Sequence, residues 1–525
     1  MLTHSPQPRL SILAHLARTG LRVLLLAGIL FINPASAVLA APPQPEPYRV
    51  KDIVPGIVGS DPMNLTIVND TLFFNASDAT HGNELWRTNG TDASTYLVKD
   101  IYPGEHSAFS DYIYLRRSIS LSEYGLNLVD VNGTLFFRAN DGFHGEELWR
   151  SDGTEEGTVL VKDIYPGSGG AFPRHLTNVN GTLFFVAYDG THGLELWQSD
   201  GSEEGTTLVK DIYPGSGASN PAYLTSVNDK LFFRAIDETH GDELWQSDGS
   251  EEGTTLVMDI YPGSGASNPV YLTSVNGKLF FAATDETHGV ELWQSDGSEA
   301  GTAMVNDIWS DGGSSNPSNL TNMNGMLFFS ASDETHGVEL WQSDGSEAGT
   351  VMVHDIYPDG GNSYPSNLTN VNGTLFFIAY GENYVEGLWR SDGTETGTLP
   401  VTQSDMQVAD MGFDQSLTAV NGTLYFGASD SAHGFELWQT DGSTDGTRMV
   451  KDIFPGVGGS FPQNMIDMHG KLYFVASEVS VYNLDKSSTA EKDTARISIS
   501  YGGELWSLAY FMYLPRISQG LVPVN

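Results

Sequence analysis

Residues 176–212 read LTNVNGTLFFVAYDGTHGLELWQSDGSEEGTTLVKDI, four short apolar runs separated by turn chemistry. Leu176 to Val179 is followed by Asn180-Gly181, a dipeptide that joins β-prone runs because both of its residues accept positive φ. Leu183 to Ala187 forms the second run. Asp189 to Gly193 is a loop, Glu195-Leu196-Trp197 the third run, Ser199 to Gly205 a turn, and Thr206 to Ile212 the fourth run. Tyr213-Pro214-Gly215-Ser216-Gly217 then breaks the chain. Leu183-Phe184-Phe185 is apolar on consecutive residues, so that strand buries both faces and stacked sheets are implied. No segment sustains a 3.6-residue apolar period, and little helix is expected.

The unit recurs along the chain. Trp86, Trp149, Trp197, Trp245, Trp293, Trp341, Trp389, Trp438 and Trp506 each follow Leu, and from Trp149 to Trp389 they are spaced 48 residues apart. Glu286 to Thr302 and Glu334 to Thr350 are identical, as after recent internal duplication. One unit buries too little apolar surface to offset the entropy of ordering itself, so units must pack side by side as the four-stranded blades of a β-propeller. The ninth unit has no Val-Lys-Asp-Ile run after Trp506; that run stands at the other end of the chain as Val50-Lys51-Asp52-Ile53. The sequence therefore predicts an all-β fold: a large propeller of four-stranded blades, nine in number, closed by an N-terminal strand that completes the last blade. The alternative is that Tyr510 to Leu514 fills the ninth blade itself.

Composition sets the outer bounds. The chain has 525 residues and a formal charge of -41, so binding to nucleic acid or to an anionic membrane is not expected as its main function. Cysteine is absent, which excludes disulfides and thiol chemistry. Arg9, Arg18 and Arg22 precede the apolar run Val23 to Ile32, followed by the small residues Ala35-Ser36-Ala37. This pattern predicts a signal peptide over 1–40 and a secreted, extracellular or cell-surface protein. A linker at 41–47, a propeller over 48–514 and a tail at 515–525 complete the expected organisation, with no membrane span after cleavage.

The run Glu-Leu-Trp-x-x-Asp-Gly-Thr, present as Glu147 to Thr154, resembles the ELWxxDGT repeat family of secreted bacterial proteins. The resemblance covers roughly residues 48–510. It departs at Gly387, at Asn89 and after Trp506. It implies a surface or extracellular repeat protein and brings no catalytic residues with it.

His81, His144, His192, His240, His288, His336 and His433 each precede Gly at one point of the unit. Their loop lies near the end of the fourth run, which carries Asp163, Asp211 and their counterparts, so a His–Asp bond tying the outer strands is expected. With Trp149, Trp197 and Trp245 these are read as structural repeat residues. The turns typified by Asp152 to Gly157 are good turn formers, and calcium is the cation that their carboxylates would favour.

Two stretches interrupt the period, about 105–125 and about 478–500. They bring Tyr112, Tyr114, Arg116, Arg117 and Tyr482 to an otherwise acidic body, and non-repeated loops on a rigid scaffold are where recognition sits. These five residues are the predicted binding site. The functional expectation is a secreted or cell-surface scaffold for binding or adhesion, with an extracellular glycan or protein as partner. The alternatives are a propeller-type glycoside hydrolase or lyase, for which the unrepeated Glu382, Glu386 and Asp414 are the candidate acids, and a structural envelope component.

Overall fold

A computed structural model describes residues 46–55, 59–109, 128–382, 384–401, 406–408, 417–477 and 503–509. Among them lie nine antiparallel sheets, and helix is confined to one 3-10 turn at Asp92–Ser94. We number the sheets as blades 1 to 9 in chain order, from the blade whose first strand is Met63–Val68 to the one whose first strand is Gln463–Met468. Blade 3 is typical, with strands Arg174–Val179, Thr182–Tyr188, Leu194–Ser199 and Thr207–Lys210 in sequential order. Its Asn180-Gly181 hairpin has φ of 49° and 85°, the left-handed pair that such a turn requires.

The blades form a closed ring of nine. Each first strand packs on the first strand of the next blade, and the series ends with Gln463–Met468 against Met63–Val68. Side chains reinforce this inner ring: Thr66 Oγ1 donates to Leu128 O at 3.2 Å, Thr225 Oγ1 to Leu272 O at 3.3 Å and Thr418 Oγ1 to Met465 O at 3.3 Å. The first strands thus line the central channel.

The core is divided into boundaries between blades, and the two consecutive aromatic residues of each second strand, Phe-Phe in blades 1 to 7 and Tyr-Phe in blades 8 and 9, explain why. Phe136 of blade 2 packs with Leu183, Phe185 and Trp197 of blade 3, whereas Phe137 packs backward with Phe73, Leu85 and Val98 of blade 1. One Phe faces each neighbour, as consecutive apolar residues on a pleated strand must. The last boundary joins the chain ends, with Leu72, Phe74 and Trp86 of blade 1 against Met468, Tyr473 and Leu505 of blade 9.

Closure uses the N-terminal strand. Tyr48–Arg49 pairs with the third strand of blade 9 through Tyr48↔Ser507 and Arg49↔Trp506, and Val50 N–H donates to Leu505 O at 2.9 Å. The paired residues begin two positions before the expected Val50. Val50 is buried, as Val161 is at the equivalent place in blade 2. The fourth place in this sheet is therefore taken by the chain start; Tyr510 to Leu514 lie outside the described residues.

Blades 7 and 8 depart from the pattern. The outer strand of blade 7 is only Leu399–Pro400, and in blade 8 both Gln407–Val408 and Leu417–Val420 pair with the second strand, Thr423–Ser429.

Candidate functional site

The acids that the sequence repeats are consumed by the fold. Glu147, fully buried on the third strand of blade 2, accepts N–H bonds from Ile164 at 3.1 Å, Tyr165 at 3.1 Å and Ala171 at 3.0 Å. It fastens the end of its own outer strand to the chain entering blade 3. Glu195 does the same and takes the Ser219 hydroxyl at 2.5 Å as well. Burial raises these carboxyls, to about 8 for Glu84 and about 7 for Glu147 and Glu195, even though the N–H donors pull the other way. Such shifts often mark catalysis. Here the same environment recurs at Glu243, Glu291, Glu339, Glu436 and Glu504, so it marks a joint. Blade 7, where Gly387 replaces the Glu, has an outer strand of two residues continuous with its own chain, whereas the two-residue outer strand of blade 9, supplied by Tyr48–Arg49, keeps its Glu504. This clamp was missed in the sequence, although its signal was there: a Glu before Leu-Trp, absent where the following strand degenerates.

The histidines bond to a different partner from the one expected. His144 Nδ1 meets Asp141 Oδ2 at 2.7 Å, His192 meets Asp189 at 2.6 Å, and His240, His288 and His336 meet Asp237, Asp285 and Asp333 at 2.7–2.9 Å. The partner is the Asp three residues earlier. That Asp also accepts the His backbone N–H, and a turn already closed by one bond presents its second oxygen to the ring at no further cost in chain entropy. The outer-strand acids go elsewhere. Asp163 and Asp211 accept from Gly167 N–H at 3.4 Å and Gly215 N–H at 3.0 Å, capping the Tyr-Pro-Gly turn. Trp149, Trp197 and Trp245 are buried at blade boundaries. In the acidic turn, Asp152 Oδ1 takes the Thr154 N–H at 2.8 Å and hydroxyl at 2.7 Å. No group of three or more His, Asp or Glu side chains is placed to share an ion among the described residues.

One place on the first strands, which line the channel, departs from the repeat along an arc of three blades. The second residue of each regular first strand is left-handed, and there the ring carries Asn64, Asn319, Asn367 and Asn464, a residue type that after glycine tolerates this conformation well. Blades 3, 4 and 5 instead carry His175, Tyr223 and Tyr271, with φ of 56°, 56° and 58°. A bulky side chain in this region is an outlier held by its surroundings. Blade 3 adds Arg174 beside His175, and blade 4 adds Arg234, paired across the sheet with Ala222. The Arg234 guanidinium lies 5.2 Å from the centre of the Tyr223 ring, and its Nε is 3.6 Å from Asp242. Burial, then the charges of Arg174 and Arg234, push the His175 pKa down to about 4. Tyr271 is 48% exposed. These first strands begin where the Tyr-Pro-Gly connection ends, so the arc sits at the channel mouth on the face of the His-Gly loops. In the sequence it was hidden because the first run was read from Leu176 onward.

The five predicted site residues, Tyr112, Tyr114, Arg116, Arg117 and Tyr482, lie outside the described residues, as does Asp414. Glu382 is exposed in a turn, and Glu386 begins the third strand of blade 7.

The family model described as outer membrane protein assembly factor BamB matches residues 228–521. The chain belongs to this family. The match corrects the resemblance read from Glu147 to Thr154: the BamB family, not the ELWxxDGT repeat family, is the one the chain matches, and the Glu-Leu-Trp and Asp-Gly elements serve as clamp and turn of a propeller blade. No curated protein matches this BamB-family chain. Similar solved structures include puromycin hydrolase (14% identity, TM-score 0.37, covering 79% of this chain and 58% of that one) and oligopeptidase B from Leishmania major (11%, 0.38, 80% and 54%). The β-propeller domain of the Trilobed protease from Pyrococcus furiosus is a third (11%, 0.32, 61% and 94%). The chain spans 58% of the length of the puromycin hydrolase.

Proposed function

We propose that this BamB-family propeller is a secreted or cell-surface binding scaffold that takes its ligand at the channel mouth of blades 3 to 5. The observation that carries this reading is the division of labour among its polar residues. Repeated Glu, His and Asp fasten the backbone of their own turns and joints, while Asn gives way to His175, Tyr223 and Tyr271 at the matching place of blades 3 to 5, with Arg174 and Arg234 beside them. A rigid ring that brings such side chains together at a concave mouth suits binding. The apolar run Val23 to Ile32 supports export, and the family's description as an outer membrane protein assembly factor supports a setting in the cell envelope. The same description favours a second reading, a structural or assembly component with a protein partner.

The test is a glycan array and an envelope-protein pull-down on the mature chain, each with and without calcium, beside a turnover assay on polymeric sugars. Glycan retention without turnover supports the first reading. Capture of an envelope protein alone supports the second. Turnover lost in Glu382→Gln overturns both.

A further inference from the structure

We infer that the cleft between blades 3 and 4, at the end of the ring that carries the Asn-Gly hairpins, is a binding site for a primary ammonium on an unbranched alkyl stem, the chemistry of a lysine side chain or a free diamine. The cleft is separate from the arc, which lies on the face of the His-Gly loops, and the inference does not rest on the reading of that arc.

The cleft has a volume of about 140 Å³ and takes its walls from both blades. Asn180, Thr182, Phe184 and Gln198 line it from blade 3, Asp229 and Asp248 from blade 4. Ser250 holds Asp248 in place, its N–H and hydroxyl donating to Oδ1 at 2.9 Å and 2.7 Å. Two carboxylates, amide groups and a hydroxyl thus share one cleft with an aromatic ring.

The repeats show what such a place holds. Six of the nine boundaries carry a basic side chain at one of two positions: Arg87, Arg150 and Arg390 directly follow Trp, and Lys230, Lys278 and Lys471 open the second strand. In blades 4 and 5 the lysine ammonium donates to Gln246 Oε1 at 3.3 Å and to Gln294 Oε1 at 3.4 Å. Between blades 1 and 2 the Arg87 guanidinium stands 5.8 Å from the centre of the Phe73 ring and donates to Gly153 O at 2.9 Å. Gln198 and Phe184 are the blade 3 counterparts of that amide and that ring, but Thr182 stands at the lysine position and Gln198 itself at the arginine position. The receptors of the repeat are kept and its cation is replaced.

The added acid points the same way. Asp229 has φ of 63° at the second place of its hairpin, where seven other blades carry Gly with positive φ. Blade 1 has Asp70 there, and His469 in the hairpin of blade 9 meets it, Nε2 to Oδ1 at 3.1 Å. Asn180, which carries no charge, takes the place of His469 beside Asp229. Two other boundaries have no basic residue at the two positions, with Met326 and Gln342 in blade 6 and Thr423 and Gln439 in blade 8, but each meets Gly373 or Gly470 instead of an acid. An ammonium brings three donors to such acceptors, its methylene stem can lie along Phe184, and a body with 66 acidic against 25 basic residues draws cations to it.

The experiment is calorimetric titration of the full chain at physiological salt with cadaverine, Nα-acetyl-L-lysine methylamide and the uncharged Nε-acetylated form of that amide, repeated on Asp229→Gly, Thr182→Lys and Thr423→Lys. Saturable binding of an amine and none of the acetylated probe is the expected result. Thr182→Lys gives the cleft the lysine that blades 4 and 5 already have, and should abolish binding without lowering the melting temperature. Asp229→Gly restores the residue of the repeat and should weaken binding tenfold or more. Thr423→Lys places the same charge between blades 8 and 9 and should leave binding unchanged. Tighter binding of cadaverine assigns the cleft to a free diamine, and tighter binding of the lysine amide assigns it to a protein side chain. No saturable binding of either amine, or equal binding of the acetylated probe, overturns the inference. Binding that survives both Thr182→Lys and Asp229→Gly, or that falls as far in Thr423→Lys, overturns the location.

Discussion

Glu504 holds Ser60 across 444 residues of chain, accepting its N–H on Oε1 at 3.2 Å and its hydroxyl on Oε2 at 2.9 Å. This is the joint that Glu195 makes with Ser219 inside the ring, here made between the two ends of the polypeptide. Closure therefore uses the same chemistry as continuation.

Glu504→Ala should loosen the closing strand selectively. Two buried donors on Ser60 lose their partner, a cost of about 1–3 kcal/mol in urea unfolding. Glu291→Ala removes equivalent bonds to Ile308 and Ser315, but there the chain remains continuous. Amide exchange at Val50, which donates to Leu505 O, should accelerate in Glu504→Ala and not in Glu291→Ala.

Stability should peak in mild acid. Burial raises Glu84 to about 8 and Glu147, Glu195, Glu291, Glu339 and Glu504 to about 7 from an ordinary 4.5, so these groups bind protons more tightly when folded. Their contribution is complete below 4.5 and is lost as pH rises through 7 to 8. His144, His192, His240, His288, His336 and His433 are raised by their Asp partners; their contribution is complete below 6.5 and is lost as pH rises through the higher folded value. The opposite applies to Asp78, Asp141, Asp189, Asp237, Asp285 and Asp333. Burial pushes each up, but bonds from the neighbouring His and Thr, or Phe143 at Asp141, outweigh it and hold each below 3.8. Their contribution is present above 3.8 and is lost as pH falls through the lower folded value. Melting temperature measured against pH should pass through a maximum near about pH 5 and decline toward pH 8. A rise in melting temperature from pH 5 to pH 8 would contradict the ring of protonatable joints.

Met258→Lys should stabilise the ring. Lys162 reaches from the outer strand of blade 2 to Glu203 O at 3.3 Å and Thr206 O at 2.8 Å in blade 3, and Lys99 and Lys210 make the same tie to Thr158 O and Thr254 O at 2.8 Å. Blades 4, 5 and 6 have Met258, Asn306 and His354 at this place. A lysine introduced at position 258 would face the carbonyls of Glu299 and Thr302, the residues at the matching positions of blade 5. The expected gain is about 0.5–1.5 kcal/mol by chemical denaturation.

Asp189 should matter more than the histidine beside it. Its carboxylate accepts from Thr191 N–H at 2.8 Å, Thr191 Oγ1 at 3.0 Å, His192 N–H at 2.9 Å and His192 Nδ1 at 2.6 Å. Asp189→Ala removes all four bonds and should cost about 1–2 kcal/mol. His192→Ala removes only the ring contacts of Nδ1 with Asp189 and Thr191, made by a side chain 40% exposed, and should stay within about 0.5 kcal/mol. Equal losses in the two variants would mean that the imidazole carries the turn.

The ring, its hairpins and its closing strand were legible in the sequence because each rests on short-range chemistry that recurs from blade to blade: Asn180-Gly181 for the turn, found in six blades, Phe184-Phe185 for a strand buried on both faces, found in seven, and Val50 to Ile53 for the piece missing after Trp506. The partner of His192 was misplaced because nearness in space was inferred from topology, whereas Asp189 was nearer along the chain. The arc escaped notice for the opposite reason. Its members belong to three blades, and His175, Tyr223 and Tyr271 come to neighbouring places at one end of the ring only when the repeats are curled. The family was misjudged on a local motif, Glu147 to Thr154, whose residues answer to the needs of any blade that must tie its outer edge to the next.

Because Phe136 looks forward and Phe137 backward, every boundary between blades is built from the same two half-faces. A whole repeat copied into the gene would thus arrive with matching neighbours on both sides, as the identical runs 286–302 and 334–350 suggest has happened. Such an event would widen the pore by one step and leave the packing alphabet unchanged. Evolution could then adjust the aperture by counting modules while editing a few pore-facing positions to choose what enters it.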